Sequence, residues 1–95
     1  MQLVTLDFET YYDKEFSLRR LTTEEYIRDK RFETIGVAIK VDDEQARWFS
    51  GTCEELKPLL MKYDWANSAV LCHNMMFDGA ILAWKFGIVP YIYMD

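Results

Sequence analysis

Apolar and polar positions change their spacing along the chain in an order that predicts an α/β fold. A nearly continuous run of apolar and β-branched residues at positions 2–8 indicates a strand that is buried on both faces. The same kind of pattern predicts four further strands, at positions 34–41, 46–50, 68–74 and 89–95.

Helical signals lie between these predicted strands. Thr22 with Glu25, and Thr52 with Glu55, have the spacing of capping boxes, which mark the beginning of a helix. The second box is followed by a helical stripe made of Leu56, Leu59, Leu60 and Tyr63. Pro58 lies inside this stripe, so we expect the helix to be kinked there or to begin late.

A last helix is predicted at positions 75–86, with Phe77, Ile81 and Trp84 facing the core. The order of the main elements is therefore three strands, a helix, a strand, a helix and a strand. Such an order predicts one α/β domain over residues 1–95, built on a five-stranded mixed sheet with helical crossovers.

Composition and charge narrow the function classes. The chain is 51% hydrophobic, which is enough for a packed core, and its net charge of −5 argues against a broad, non-specific grip on nucleic acid. The two cysteines show no CxxC or Cys/His spacing, which argues against a zinc site and favours a reducing cytoplasm. No membrane span or signal peptide is predicted, so we expect an intracellular domain without a membrane partner.

Two acids end the first predicted strand, in the stretch "LDFET". Residues two apart on a strand point to the same side, roughly 7 Å from each other, so Asp7 and Glu9 would project together. Two such anions repel unless a positive charge lies between them, and Mg²⁺ or Mn²⁺ prefers carboxylate oxygens. The alternative interpretation is a solvated strand end with two chance acids.

A second unusual stretch, "HNMMFDGAIL", follows the fourth predicted strand. Asp78 lies one helical turn after Asn74 among apolar residues, where a charge is costly unless it is paired or bound to metal. If the fourth strand runs beside the first, Asp78 comes near Asp7 and Glu9, because ligands in α/β sheets gather at the carboxyl ends of strands. His73 alone is weak support, since a single histidine is more often structural.

The DxE pair followed by HNxxFDxxxL resembles the first two motifs of the DEDD exonuclease superfamily, whose fold is ribonuclease H-like. More narrowly, "DFETYYD…SLRRLTTEEYIRDKRFETIGVAI" is similar to the N-terminal proofreading exonuclease of phage-type family A DNA polymerases. The resemblance covers essentially the whole chain. It implies a 3′–5′ exonuclease in the cytoplasm of a bacterial host, releasing nucleoside monophosphates from the 3′ end of single-stranded DNA.

The resemblance also implies residue roles. Asp7 would bridge two metal ions, Glu9 would bind one of them, and Asp78 would hold the other directly or through water. Two Mg²⁺ or Mn²⁺ ions about 4 Å apart stabilise the attacking hydroxide and the leaving 3′-oxygen. The implied substrate-binding residues are Thr10 through its backbone, Asn74 and His73.

A third motif of the family, which supplies a fourth acid four residues after a Tyr or His, is not found. Tyr91 and Asp95 have this spacing, but the resemblance places an acid at the end of this strand outside the metal site, so we interpret the match as coincidence. We therefore expect weak metal binding and poor cleavage by these 95 residues. Without the family's C-terminal helices an apolar sheet face is expected to be open, and to be covered by the rest of a polymerase or by a second copy.

Other functions stay open at this point. One alternative is a non-catalytic fragment that keeps the fold and binds single-stranded nucleic acid or a polymerase partner, and a weaker one is a ribonuclease of the same superfamily. Six basic residues could contact phosphates, although interleaved acids favour ion pairs on a solvated face; they are Lys14, Arg19, Arg20, Arg28, Lys30 and Arg31. Tyr11, Tyr12 and Phe16 could stack on unpaired bases or cover the edge of the sheet.

Overall fold

The computed structural model of the chain describes residues 1–94. Five strands, three α-helices and one 3₁₀ turn at Trp65–Asn67 follow one another within this part of the chain. The strands are β1 (Gln2–Thr10), β2 (Thr34–Val41), β3 (Arg47–Ser50), β4 (Ser68–Cys72) and β5 (Ile92–Met94). The helices are α1 (Thr23–Arg28), α2 (Cys53–Leu60) and α3 (Met75–Phe86).

The five strands form one mixed sheet in the order β3-β2-β1-β4-β5. β1 is the central strand, because it pairs antiparallel with β2 and parallel with β4. β5 is parallel to β4, and α3 makes the crossover between them. The predicted α/β domain with a five-stranded mixed sheet is therefore confirmed. β4 ends at Cys72, two residues before the predicted end of this strand.

Local capping signals fix where the first two helices begin. The Thr22 Oγ1 atom accepts a hydrogen bond from the Glu25 N–H at 3.1 Å, and the Thr22 N–H donates to Glu25 Oε1 at 2.9 Å. The same reciprocal pair joins Thr52 and Glu55, so both predicted capping boxes are confirmed. The late start predicted for α2 is wrong, because this cap begins the helix directly after Thr52 and the helix includes Pro58.

The core lies on one face of the sheet. Val4, Leu6 and Phe8 of β1 are buried in a single cluster that also contains buried side chains from all three helices. Asp7 and Glu9 alternate with these residues and are exposed on the opposite face. The prediction that β1 is buried on both faces is therefore wrong for its carboxyl half. The three helices pack on the face that carries Val4, Leu6 and Phe8 and leave the face of Asp7 and Glu9 uncovered.

The opposite face of the sheet carries apolar side chains that are about half exposed. Trp48 of β3 is 50% exposed, and Ile92 and Met94 of β5 are 49% and 47% exposed.

No helix among residues 1–94 has the length and the apolar character that are needed to cross a membrane. Both cysteines, Cys53 and Cys72, are free thiols.

The buried face of α3 is rotated relative to the predicted one. Its buried residues are Asp78, Gly79, Ile81, Leu82 and Phe86. The Phe86 ring stacks on that of Phe8, with 5.7 Å between the ring centroids, and this contact fixes the side of the helix that meets β1. Trp84 is 40% exposed, and the Arg28 guanidinium lies over its ring at 4.4 Å. The assignment of Trp84 to the core is thus wrong, whereas that of Ile81 is right.

Candidate metal centre

Asp78 is the most deeply buried carboxylate of the described chain, with only 1% of its surface exposed. Its Oδ1 atom accepts a hydrogen bond from the backbone N–H of Phe8 at 3.0 Å. β4 pairs with β1 only as far as Cys72, which lies opposite Leu6. Phe8 is therefore past the end of β4, and the side chain of Asp78 supplies the acceptor for its N–H.

Asp7 and Glu9 flank Phe8 on the exposed face of β1. Their partners across β2 are Ala38 and Gly36, the two smallest types of residue, so neither carboxylate faces a large side chain on that strand. The fold thus brings the DxE pair and the acid of the second motif to the same few residues of β1. The topology that this requires, with β4 beside β1, is as predicted.

The charges of the three acids affect one another. Burial, which is the largest cause, and the nearby charges of Asp7 and Glu9 together raise the pKa of Asp78 to about 6, against the lowering effect of the hydrogen bond from the Phe8 N–H. Within residues 1–94, the two ion pairs are Arg28–Glu24 and Arg31–Asp29, so neither neutralises this group of acids.

Carboxylate oxygens near one another without a cationic partner fit a hard divalent cation such as Mg²⁺ or Mn²⁺. Asp7, Glu9 and Asp78 are the side chains of this region that could hold one. In the part of the chain that is described, no three His, Cys, Asp or Glu side chains already converge as a ready-made cage.

Two further side chains lie near Asp78 and were not foreseen from the sequence. Burial raises the pKa of the Cys72 thiol to about 12, with smaller contributions from the charges of Asp78 and Asp7. Burial also raises the pKa of Tyr93 to about 12, and Cys72 and Asp78 add to this effect. Both side chains therefore stay protonated at neutral pH. Cys72 is placed by the register of β4 with β1 and Tyr93 by the register of β4 with β5, for which the sequence carries no signal.

The predicted substrate-binding residues lie at the same end of the sheet. Thr10 is the last residue of β1, and its Oγ1 atom lies 2.8 Å from the hydroxyl of Tyr26, which also donates to the Tyr11 carbonyl. His73 and Asn74 are exposed in the connection between β4 and α3. The Asn74 carbonyl accepts from the backbone N–H of Asp78 at 2.9 Å, while the Asn74 side chain makes no capping bond.

A cleft of about 970 Å³ opens beside the end of β1. Glu9 and Thr10 line it at this end, Tyr26 and Phe77 line it from the helices, and the segment 12–20 forms much of its wall. His73 and Asn74 lie outside this lining. Phe8 is buried, and Phe77, which was predicted to face the core, is half-buried; both rings line the cleft.

Five of the six basic residues of the segment after β1 fall into two groups, and the sixth, Lys30, is exposed and belongs to neither. Arg28 pairs with Glu24 at 3.3 Å, and Arg31 pairs with Asp29 at 3.0 Å, as predicted for a face laced with ion pairs. The second group lines the cleft and consists of Lys14, Arg19 and Arg20. Acids that alternate with the basic residues along the sequence thus pair with Arg28 and Arg31. The three basic residues at the cleft have no such ion pair within residues 1–94.

Of the pair with third-motif spacing, Tyr91 and Asp95, only Tyr91 lies within the described residues. Tyr91 is exposed, and its N–H is held by the carbonyls of Trp65 and Ser68 at 3.0 and 3.1 Å. Asp95 lies outside the described residues.

No family model, curated protein or solved structure gives a significant match to this chain.

Proposed function

We propose that this chain is part of a metal-dependent 3′–5′ exonuclease domain with a ribonuclease H-like fold, of the kind that proofreads for phage-type family A DNA polymerases. One observation carries the proposal. Asp78, from the second motif, hydrogen-bonds the backbone of β1 between Asp7 and Glu9, the acids of the first motif, although the sequence separates Asp78 from Phe8 by 70 positions. The resemblance requires that these two motifs meet.

The three carboxylates have the chemistry that a divalent metal needs. Mg²⁺ or Mn²⁺ bound by Asp7, Glu9 and Asp78 would stabilise the attacking and leaving oxygens of a phosphodiester displacement. The protein's own contribution is to bring the carboxylate of Asp78 to the backbone of β1 between the other two acids. Because Asp78 is buried and fixed to the Phe8 N–H, its orientation is set by the fold rather than by solvent.

The neighbouring residues suit the binding of a 3′ end. The backbone at Thr10 is positioned by the hydrogen bonds of Tyr26 to Thr10 and Tyr11, directly after the acid Glu9. Asn74 lies at the start of α3, next to the turn that carries Asp78. In this proposal these groups orient the terminal nucleotide against the carboxylates.

The test is a digestion assay with a 5′-labelled single-stranded oligonucleotide, in Mn²⁺ and in EDTA, with DNA and RNA versions of the same sequence. We expect slow, stepwise shortening that requires Mn²⁺ and is abolished in Asp7→Ala and Glu9→Ala. The matched control is Asp43→Ala, which removes an exposed acid from the turn between β2 and β3. Shortening that persists in Asp7→Ala, or that Asp43→Ala abolishes equally, would contradict the proposal.

A second candidate is a non-catalytic module that binds single strands. The cleft favours it, because Lys14, Arg19 and Arg20 line the cleft independently of any metal. Folded protein that binds the oligonucleotide but does not shorten it at any Mn²⁺ concentration would select this candidate.

A further inference from the structure

The cleft beside Glu9 has the size of a substantial ligand site. Its volume of about 970 Å³ lies at the upper end of the range found for small-molecule pockets, about 300–1,000 Å³. It begins at the carboxyl end of β1 and continues along the segment 12–20. Of the three candidate metal ligands only Glu9 lines the cleft, so the cleft connects Glu9 with this segment.

The segment that forms the wall is held by specific contacts. The Asp13 Oδ1 atom accepts from the N–H groups of Phe16 at 2.7 Å and Glu15 at 2.9 Å, and its Oδ2 atom accepts from the Tyr11 hydroxyl. The buried Phe16 ring stacks on Tyr26 with 4.5 Å between centroids. A wall that is fixed before binding loses less conformational entropy when a ligand arrives.

Three cations and two exposed apolar side chains line this wall. Lys14, Arg19 and Arg20 form no ion pair with any acid among residues 1–94. Tyr12 is 73% exposed and Leu18 is 47% exposed within the same lining. Cations that follow a backbone, together with an aromatic ring on which bases stack, are typical of sites for single-stranded nucleic acid.

Two of the three acids that line the cleft have other partners or roles. Asp13 is occupied by three donors from its own segment, and Glu9 is a proposed metal ligand. Glu15 is the remaining acid of the lining. The chain as a whole has a net charge of −5, so attraction to phosphates must come from a local group of cations and not from the overall field.

We infer that this cleft holds the single strand behind its 3′ end, with Lys14, Arg19 and Arg20 on successive phosphates and Tyr12 stacked on a base. The direction of the strand rests on the proposed function, since the 3′ terminus would lie at Glu9. The contacts are to phosphate and to base faces, so they position the strand and do not read its sequence.

The test measures the affinity for a fluorescent 12-nucleotide single strand, as DNA and as RNA, at several salt concentrations in EDTA, where no metal-dependent turnover occurs. The variant Lys14→Ala/Arg19→Ala/Arg20→Ala removes the three cations of the cleft. Each phosphate contact on a single strand contributes about 0.7 to the slope of log affinity against log salt, so this variant should lower the slope by about 2. We expect affinity to fall by at least about tenfold at low salt.

The matched control is Lys40→Ala/Lys57→Ala/Lys62→Ala, which removes three exposed cations outside this cleft. It should leave the slope unchanged, and circular dichroism and thermal unfolding should show that both triple variants are folded. Tyr12→Ala should weaken binding roughly fivefold or more at an unchanged slope, because a stacked base contributes no counterion release. A preference for DNA over RNA, or the reverse, identifies the natural strand.

Equal slopes for the two triple variants would overturn the inference, whether or not the chain cleaves. The chain could also shorten the strand with Mn²⁺ while its binding does not respond to the cleft variant. That result would overturn the inference about the cleft but would still support the proposed exonuclease. Binding that depends on the cleft, in a chain that never shortens the strand, would support the cleft as a strand site and refute the exonuclease.

Discussion

The Oδ1 atom of Asp78 accepts a hydrogen bond from the backbone N–H of Phe8, with 3.0 Å between the oxygen and the nitrogen. This bond fixes α3 to the end of β1. Phe8 lies between Asp7 and Glu9, so one hydrogen bond sets how the third acid stands relative to the other two. The same bond completes the edge of β1 after β4 has ended at Cys72. Asp78 is therefore both a structural residue and a candidate metal ligand.

The pKa of Asp78 predicts a pH dependence of stability. Because burial raises this pKa to about 6 in the folded chain, from an ordinary value near 3.8, the folded state holds the proton over a pH range in which the unfolded state has released it. The contribution of Asp78 to the free energy of unfolding is thus fully present below about pH 4 and is lost as the pH rises through about 6. The expected loss is up to about 3 kcal/mol in the absence of metal.

Asp78→Asn removes this titration and keeps an oxygen that can accept from Phe8. Urea unfolding in EDTA should show that the variant gains stability relative to the natural chain between pH 4 and pH 7. Asp43→Asn, a change in an exposed turn, should show no such trend. A difference between Asp78→Asn and the natural chain that is the same at both pH values would contradict the prediction.

Divalent cations should stabilise the folded chain through the three acids. For a dissociation constant near 1 mM, 10 mM Mg²⁺ or Mn²⁺ adds about 1.4 kcal/mol, which raises the Tm of a chain of this size by roughly 5–10 °C. Asp7→Asn and Glu9→Gln should lose most of this increase at pH 7, and Asp43→Asn should keep it. The prediction fails if thermal unfolding shows the same increase in all four proteins.

Features that depend on a few neighbouring residues could be predicted from the sequence. The two capping boxes and the limits of β2 are of this kind, because a Thr with a Glu three residues later, or a stretch rich in β-branched residues, acts locally. The end of α3 is also local, since Gly87 adopts the left-handed conformation that ends many helices. The meeting of Asp78 with β1 was predictable at the level of topology, since it required only that β4 lie beside β1.

Features that depend on which surfaces meet could not be predicted in this way. Trp84 has the periodicity of a core residue, but the stacking of Phe86 on Phe8 turns α3 so that Trp84 is covered by Arg28 instead. The cleft and the hydroxyl of Tyr26 at Thr10 arise from a helix that folds back on the end of β1. No pattern within either segment encodes that contact.

Tyr26 is expected to act as a positioning residue. Tyr26→Phe removes the hydroxyl that bonds Thr10 Oγ1 and the Tyr11 carbonyl, but it leaves the ring stacked on Phe16. Urea unfolding should show that the free energy of unfolding falls by about 1–2 kcal/mol. The affinity for the single strand should also fall, and by more than the small increase in the unfolded fraction can account for. Tyr91→Phe, at an exposed hydroxyl, is the control. A variant with lower stability but unchanged affinity would show that Tyr26 has only a structural role.

Gly36 lies opposite Glu9 on β2, and there is no space for a side chain there. A Cβ atom at this position would lie 2.4 Å from the Trp48 ring and 2.6 Å from the carbonyl oxygen of Phe49. The ring can move, but the carbonyl belongs to the paired strand β3, so Gly36→Ala should displace β2 from β3 at the position opposite Glu9. We expect a loss of about 1–3 kcal/mol in the free energy of unfolding and a smaller stabilisation by Mn²⁺.

Two controls test this explanation of Gly36. Gly87→Ala strains a left-handed backbone with φ of 66° at the end of α3, where the added methyl meets nothing within 4 Å, so it should lower stability and leave the effect of Mn²⁺ unchanged. In a Trp48→Ala background, Gly36→Ala should still be destabilising, because the Phe49 carbonyl remains. If Gly36→Ala costs no stability in that background, then the Trp48 ring alone excludes a side chain at position 36. The spacing between β2 and β3 would then not control the geometry at Glu9.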